Sequence, residues 1–392
     1  MQGNGSELGQ DISSYVYLIC GRNINNADRE KINHFLKTLG LLPIIKETAV
    51  HLTGEPSPFV DEIINDAFNR AKAIIVLFTG DDNAHLCSRL LKDSPQDPEG
   101  EIKPQPRQDQ IFEAGYAFGR SPKQTILLRI GNHMRPFSDI DGRYIANFTW
   151  KAPDLIDLVS RLKSAGCSFK FEEAILNGAG FPEEFYEELA PLLVNSGRNN
   201  SAASNRGVEI DEQESSYTNP RKVFVIHGRN KKINKHLFAF LNVIGLSPIS
   251  WRDAVGYTNN SAPYIGEVLE AFLRQAQAVV VLLTGDDEAG LQKQLAIEGD
   301  TEDDFRILPQ PRLNVLFEAG MAFSNERLAK KPILVQVCAV RICSYLAGRD
   351  RINLTNAMKD RMALVRSLAS AGCKVEMPEY KKLRETGNFR CV

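Results

Sequence analysis

The 392-residue sequence has no apolar run long enough to span a bilayer as a helix and no strong charge of either sign. Lys and Arg total 47 against 49 Asp and Glu, a formal net charge of −2. Without a basic field, neither nucleic acid nor an anionic membrane is an expected partner. Histidine is scarce, and no Cys/His cluster has zinc-site spacing, so no metal is expected. The seven cysteines form no regular framework, and the nearest pair, Cys338 and Cys343, is too widely spaced for a metal knuckle. They read as reduced thiols, which sets the expectation of a soluble cytoplasmic protein.

What is present is globular: 43% hydrophobic and 24% charged residues, over a length that suits two domains. The chain repeats itself. YVYLICGRN at Tyr15–Asn23 returns as KVFVIHGRN at Lys222–Asn230, and TGDD at Thr79–Asp82 returns at Thr284–Asp287. PQPR at Pro104–Arg107 returns at Pro309–Arg312, FEAG at Phe112–Gly115 returns at Phe317–Gly320, and SAGC at Ser164–Cys167 returns at Ser370–Cys373. The offset is 207 between Gly21 and Gly228, 205 between Glu113 and Glu318, and 206 between Cys167 and Cys373. So small a drift over a whole module means duplication with minor loop changes. The boundaries follow as a flexible N-terminus at 1–14, a first module at 15–170, a helical extension at 171–194 and a polar, flexible linker at 195–220. A second module follows at 221–376, then a tail at 377–392.

Within the second copy, strands are expected at Val223–His227, Leu246–Ser250, Ala278–Leu283 and Pro332–Val337. Helices are expected at Lys232–Ile244, closed by Gly245, and at Pro263–Gln275, Arg312–Phe323 and Met358–Ala371. Apolar strands with little alternation, separated by helices, indicate a buried parallel sheet and a doubly wound α/β, flavodoxin-like class. The stretches Asn83–Pro106 and Glu288–Pro311 read as long binding loops or lids.

In such sheets ligands bind at the carboxyl ends of the strands. Gly21, Arg22 and Asn23, and again Gly228, Arg229 and Asn230, follow the first strand, where glycine permits close backbone approach and arginine can fork onto phosphate. Asp81, Asp82, Asp286 and Asp287 follow the third strand, a position that ordinary turn residues also fill. The sharpest signal is Glu113 and Glu318, carboxylates kept twice on an otherwise apolar helix, where burial without a partner is costly. Asn314 lies one turn before Glu318, so the pair can grip a vicinal diol such as ribose. In the first copy the corresponding pair is Asp109 and Glu113, two carboxylates whose repulsion raises one pKa.

HGRN at His227–Asn230, TGDD at Thr284–Asp287 and RLNVLFEAG at Arg312–Gly320 resemble the TIR-like nucleotide-binding module of bacterial antiphage effectors of the CBASS and Pycsar type. The resemblance covers both copies and implies hydrolytic cleavage of NAD at its nicotinamide–ribose bond. NAD is then substrate rather than cofactor, and no other cofactor is implied. It also implies self-association through these modules. The family's catalytic glutamate maps to Glu318 and, by the repeat, to Glu113. The first copy departs from the pattern with Cys20 in place of histidine and Asp109 in place of asparagine. Neither terminal stretch resembles a cyclic-nucleotide sensor, so the sequence supports no expectation of that activation route. A non-catalytic nucleotide sensor, a nucleoside deoxyribosyltransferase-like enzyme and an assembly scaffold remain the competing readings.

Overall fold

The computed structural model describes residues 15–24, 26–91, 96–131, 133–135, 140, 145–168, 219–249, 267, 268, 271, 275–325 and 332–391. The first copy runs β1 (Tyr15–Cys20), α1 (Asn26–Thr38), β2 (Leu42–Ile44), α2 (Lys46–Leu52), α3 (Val60–Arg70), β3 (Ala73–Thr79) and β4 (Asp82–Leu86). It continues through α4 (Ser88–Leu91), β5 (Lys103–Gln105), α5 (Gln108–Arg120), β6 (Thr125–Ile130), β7 (Ala146–Asn147) and α6 (Ala152–Ser164). The second copy runs β8 (Asn219–Ile226), α7 (Lys231–Val243), β9 (Ser247–Ile249), β10 (Ala276–Leu283), β11 (Asp287–Leu291), α8 (Glu302–Phe305) and β12 (Leu308–Gln310). Then come α9 (Leu313–Ser324), β13 (Ile333–Gln336), α10 (Ser344–Ala347), β14 (Arg351–Asn353), α11 (Met358–Ser370) and α12 (Tyr380–Glu385).

Each copy builds a five-stranded parallel sheet, in the orders β2-β1-β3-β6-β7 and β9-β8-β10-β13-β14. Setting aside β4, β5, β11 and β12, this is the 2-1-3-4-5 order of a flavodoxin-like sheet. The reason is visible in β3, whose seven residues are all buried, because helices cover both faces. Gly245 takes φ 78 and closes α7, donating to the Asn242 carbonyl.

The two stretches expected to be long loops are not loops. Each begins and ends in a strand, and β4 and β11 pair antiparallel across the copies to give a four-stranded sheet β12-β11-β4-β5. The ribbon is two-fold symmetric about the Ala84–Ala289 pair, and the backbone bonds Cys87 N–H to Asp286 O and Gln292 N–H to Asp81 O repeat that symmetry. A single copy would leave β4 paired with β5 on one side only, and the other half of the chain supplies the strand for the open edge.

Beneath this ribbon α5 crosses α9. The crossing is backbone on backbone, since a Cβ on Gly115 would overlap the Phe317 carbonyl and one on Gly320 that of Phe112. Two symmetric aromatic pairs flank it, Phe118–Phe317 at 5.7 Å and Phe112–Phe323 at 5.9 Å between ring centroids. One apolar core therefore runs through both copies, and separate cores fill the outer face of each sheet. The copies form an intrachain pair with a core-like interface.

Asn219 and Pro220, read as the end of the linker, belong to β8. The predicted extension at 171–194, almost all of the linker and most of the Pro263–Gln275 helix lie outside the described residues. The tail folds back onto the second copy. Arg361 is buried and donates to the carbonyls of Leu383, Thr386 and Gly387, with Phe240 and Phe389 beside its guanidinium. The reading of all seven cysteines as reduced thiols is corrected here. Cys338 and Cys391 are disulfide-bonded with Cα atoms 5.4 Å apart, and the other five are free. A sequence separation of 53 hid this pair, whose cysteines meet where the tail lies against the second copy. No helix among the described residues is long and apolar enough to cross a membrane.

Candidate functional site

The site lies where the motifs after β1, β3, β8 and β10 meet the helices α5 and α9. The first aspartate of each TGDD clamps the loop of its own copy. Asp81 accepts from the backbone N–H of Arg22 at 2.6 Å and of Asn23 at 3.0 Å, and from the Thr79 hydroxyl at 2.6 Å. Asp286 accepts from the Asn230 N–H at 3.2 Å. These carboxylates crowd Gly21 and Gly228, so the close approach permitted by glycine is used by an internal clamp. Burial pushes both carboxyl groups above the ordinary range, against hydrogen bonds that favour the charged form. Asn230 caps α7 by accepting from Ile233 N–H, and the Asn23 amide donates to the Gly80 carbonyl.

The second aspartate of each motif reaches the other copy. Asp82 pairs with the half-buried Arg341 at 2.9 Å and Asp287 with the buried Arg135 at 2.8 Å, two ion pairs related by the pseudo-symmetry in which both carboxylates are buried. Arg135 and Arg341 were not singled out in the sequence, because both lie beyond the fourth main-sheet strand of their copy, in stretches with no motif.

On α9, Asn314 and Glu318 sit one turn apart and both line a cavity of about 510 Å³. Among the described residues, His227, Gly228, Arg229 and Arg312 of the second copy and Asp97 and Glu99 of the first also line it. Asn234 donates to the Gly228 carbonyl, and its amide nitrogen also lies 2.9 Å from His227 Nδ1, which fixes the ring beside the cavity. Arg229 is held by Asp97 at 2.7 Å and Glu99 at 2.9 Å. Arg312 is held by Glu99 at 2.7 Å and by Asp287 at 3.4 Å. The arginines hold Glu99 below the ordinary carboxylate range, although partial burial pushes the other way. The structure thus brings Gly228, Arg229, Asn314 and Glu318 together, while Asn230, Asp286 and Asp287 support them from behind.

The first copy's glutamate is enclosed. Glu113 is only 6% exposed, and enclosure pushes its carboxyl up to about 8; nearby Lys46 opposes the shift, while Asp109 and Glu47 add to it. Asp109 is turned to another task, accepting from the Ser344 N–H at 2.7 Å and its hydroxyl at 2.9 Å at the start of α10. Tyr345 stacks on Phe112 at 5.5 Å, and the Lys46 ammonium sits over the Tyr345 ring. Arg22 is held by Asp300 of the second copy at 2.6 Å. Arg312, Asp97, Glu99 and Asn234 are site residues that sequence reasoning passed over. Arg312 alone carried a signal, since it stands in the repeated PQPR.

Two parallel five-stranded modules with a glutamate helix at the strand ends define a paired TIR-type architecture. A family model described as "CAP12/Pycsar effector protein, TIR domain" matches residues 15–149 and again 222–356. The chain belongs to this family and carries its domain twice. Protein tirC of Dictyostelium discoideum is 30% identical over 99 residues, a match covering 25% of this chain and 44% of that protein. The chain therefore spans less than half the length of this curated relative. No solved structure matches.

Proposed function

We propose that the second copy is an NAD glycohydrolase centre, acting in the cytoplasm as part of bacterial antiphage immunity. The observation that carries this reading is the contrast between the two glutamates. Glu318 lines a cavity beside an asparagine and two arginines, while Glu113 is enclosed.

The chemistry suits a single carboxylate. The bond from ribose C1′ to the nicotinamide nitrogen breaks, and its electron pair neutralises the cationic ring, so the leaving group needs no proton. Positive charge develops on the ribose, where a fixed carboxylate stabilises it. Glu318 and Asn314 would hold the ribose hydroxyls, and Arg229 and Arg312 the phosphates. Water adds at C1′ and releases a proton, giving nicotinamide and ADP-ribose. The family's effector description supports the antiphage setting.

The test is nicotinamide release from NAD by the full chain, compared with E318Q, E113Q and the double variant. E318Q is expected to lose about 10²–10³-fold in turnover, the scale of removing one preorganised charge-stabilising group. The double variant should add little to that. Wild-type turnover in the double variant would falsify the proposal.

A further inference from the structure

Glu99 receives three arginines at once: Arg135 at 2.8 Å, Arg229 at 2.9 Å and Arg312 at 2.7 Å. Asp97 takes the other terminal nitrogen of Arg229 at 2.7 Å. Asp97 caps and Glu99 sits within a single turn, Pro98–Gly100, that buries none of its own residues. They come from the first copy, yet they line the second copy's cavity together with Glu318. Two carboxylates carried two residues apart and shared between adjacent guanidinium forks reproduce the charge pattern of a diphosphate. Guanidinium groups bind carboxylate and phosphate with the same paired geometry.

We propose that Asp97–Gly100 is a strap that fills the diphosphate subsite of the second copy's cavity, and that a nucleoside diphosphate binds Arg229 and Arg312 by displacing it. The inference rests on reading the cavity as a dinucleotide site. The partners are arranged for such an exchange. Arg135 retains Asp287 at 2.8 Å, and Arg312 retains the same carboxylate at 3.4 Å. Both carboxylates that hold the Arg229 guanidinium belong to the strap. Arg229 is also 42% exposed, so its pairs are open to competition by dissolved anions. Among the described residues the opposite side of the pseudo-dimer differs: Arg22 meets Asp300, and the corresponding glutamate is enclosed.

The test is calorimetric titration of the full chain with ADP and, separately, with inorganic phosphate. The variant D97N/E99Q is expected to bind ADP at least tenfold more tightly than wild type, and R229A/R312A in that background to abolish the gain. Phosphate should bind more weakly than ADP to every variant. Unchanged or weakened ADP binding by a D97N/E99Q protein with a wild-type melting curve overturns the strap. Should that variant fail to fold, hydrogen exchange on the wild type decides. Faster exchange at residues 97–101 on adding ADP supports displacement, and unchanged exchange at millimolar ADP overturns it. Nicotinamide release is measured on the same variants supplied with NAD in place of ADP. Strap-dependent ADP binding without release retains the subsite and discards the glycohydrolase reading.

Discussion

Gly115 and Gly320 meet where α5 crosses α9, and a Cβ built on Gly320 would stand 3.1 Å from the Gly115 carbonyl carbon. The glycine of each FEAG motif is thus the contact point of the intrachain pair, one residue removed from the alanine that follows the glutamate. A methyl group at either position must push against helix backbone, which cannot swing aside as a flexible side chain can. G320A is expected to cost about 3 kcal/mol, the upper end for overpacking, with G115A similar. Urea denaturation measures this. A loss within experimental error for both variants would show that the helices can part without cost.

Glu113 makes stability depend on pH. Its carboxyl is raised from the ordinary 4.5 to about 8, chiefly by burial. The folded protein therefore retains a proton that the unfolded chain releases, and stability falls as pH rises from 4.5 towards 8. Replacing Glu113 with Gln removes that dependence. E113Q should melt near wild type at pH 4.5 and gain on the order of a few kcal/mol by pH 8. Equal melting shifts at both pH values would mean that Glu113 is charged in the fold.

Asp82 is buried beside the half-buried Arg341, and loss of the arginine leaves the carboxylate enclosed without its counter-charge. R341M is expected to cost about 3–5 kcal/mol, and D82N in the same chain to recover much of it. A double-mutant cycle by thermal denaturation reads the coupling. Additive losses would reduce the pair to two independent contacts.

Much of the architecture was legible in the chain. The repeat offset fixed the number of modules, and β3 and β10 announce themselves through the apolar runs Ala73–Phe78 and Ala278–Leu283, which are covered on both faces. What escaped was whatever one copy provides to the other. Asp82–Leu86 and Asp287–Leu291 look like loop in isolation, since one of the two strands each pairs with is some 200 residues away. For the same reason Asp82 and Asp287 resembled turn residues, although each is neutralised by an arginine of the opposite copy. The glutamate signal in FEAG was readable from its cost in an apolar helix. The following glycine was not, because a gap reveals itself only against the helix that fills it. Asp97 and Glu99 carried no signal at all: two acids in a polar stretch become part of a cavity only through arginines of the other module.

The ribbon centred on Ala84 and Ala289 also bears on how such a chain can change. In a homodimer a substitution at the axis appears on both sides at once, so any new contact must tolerate its own mirror image. Here the mirror has lapsed. Glu288 meets Cys87 and His85, while the positions related to these by the repeat are Asn83, Gln292 and Gly290, and Gln292 bonds instead to the Gly80 carbonyl. Covalent joining released each half from copying the other, leaving one free to close its pocket while its twin kept one open.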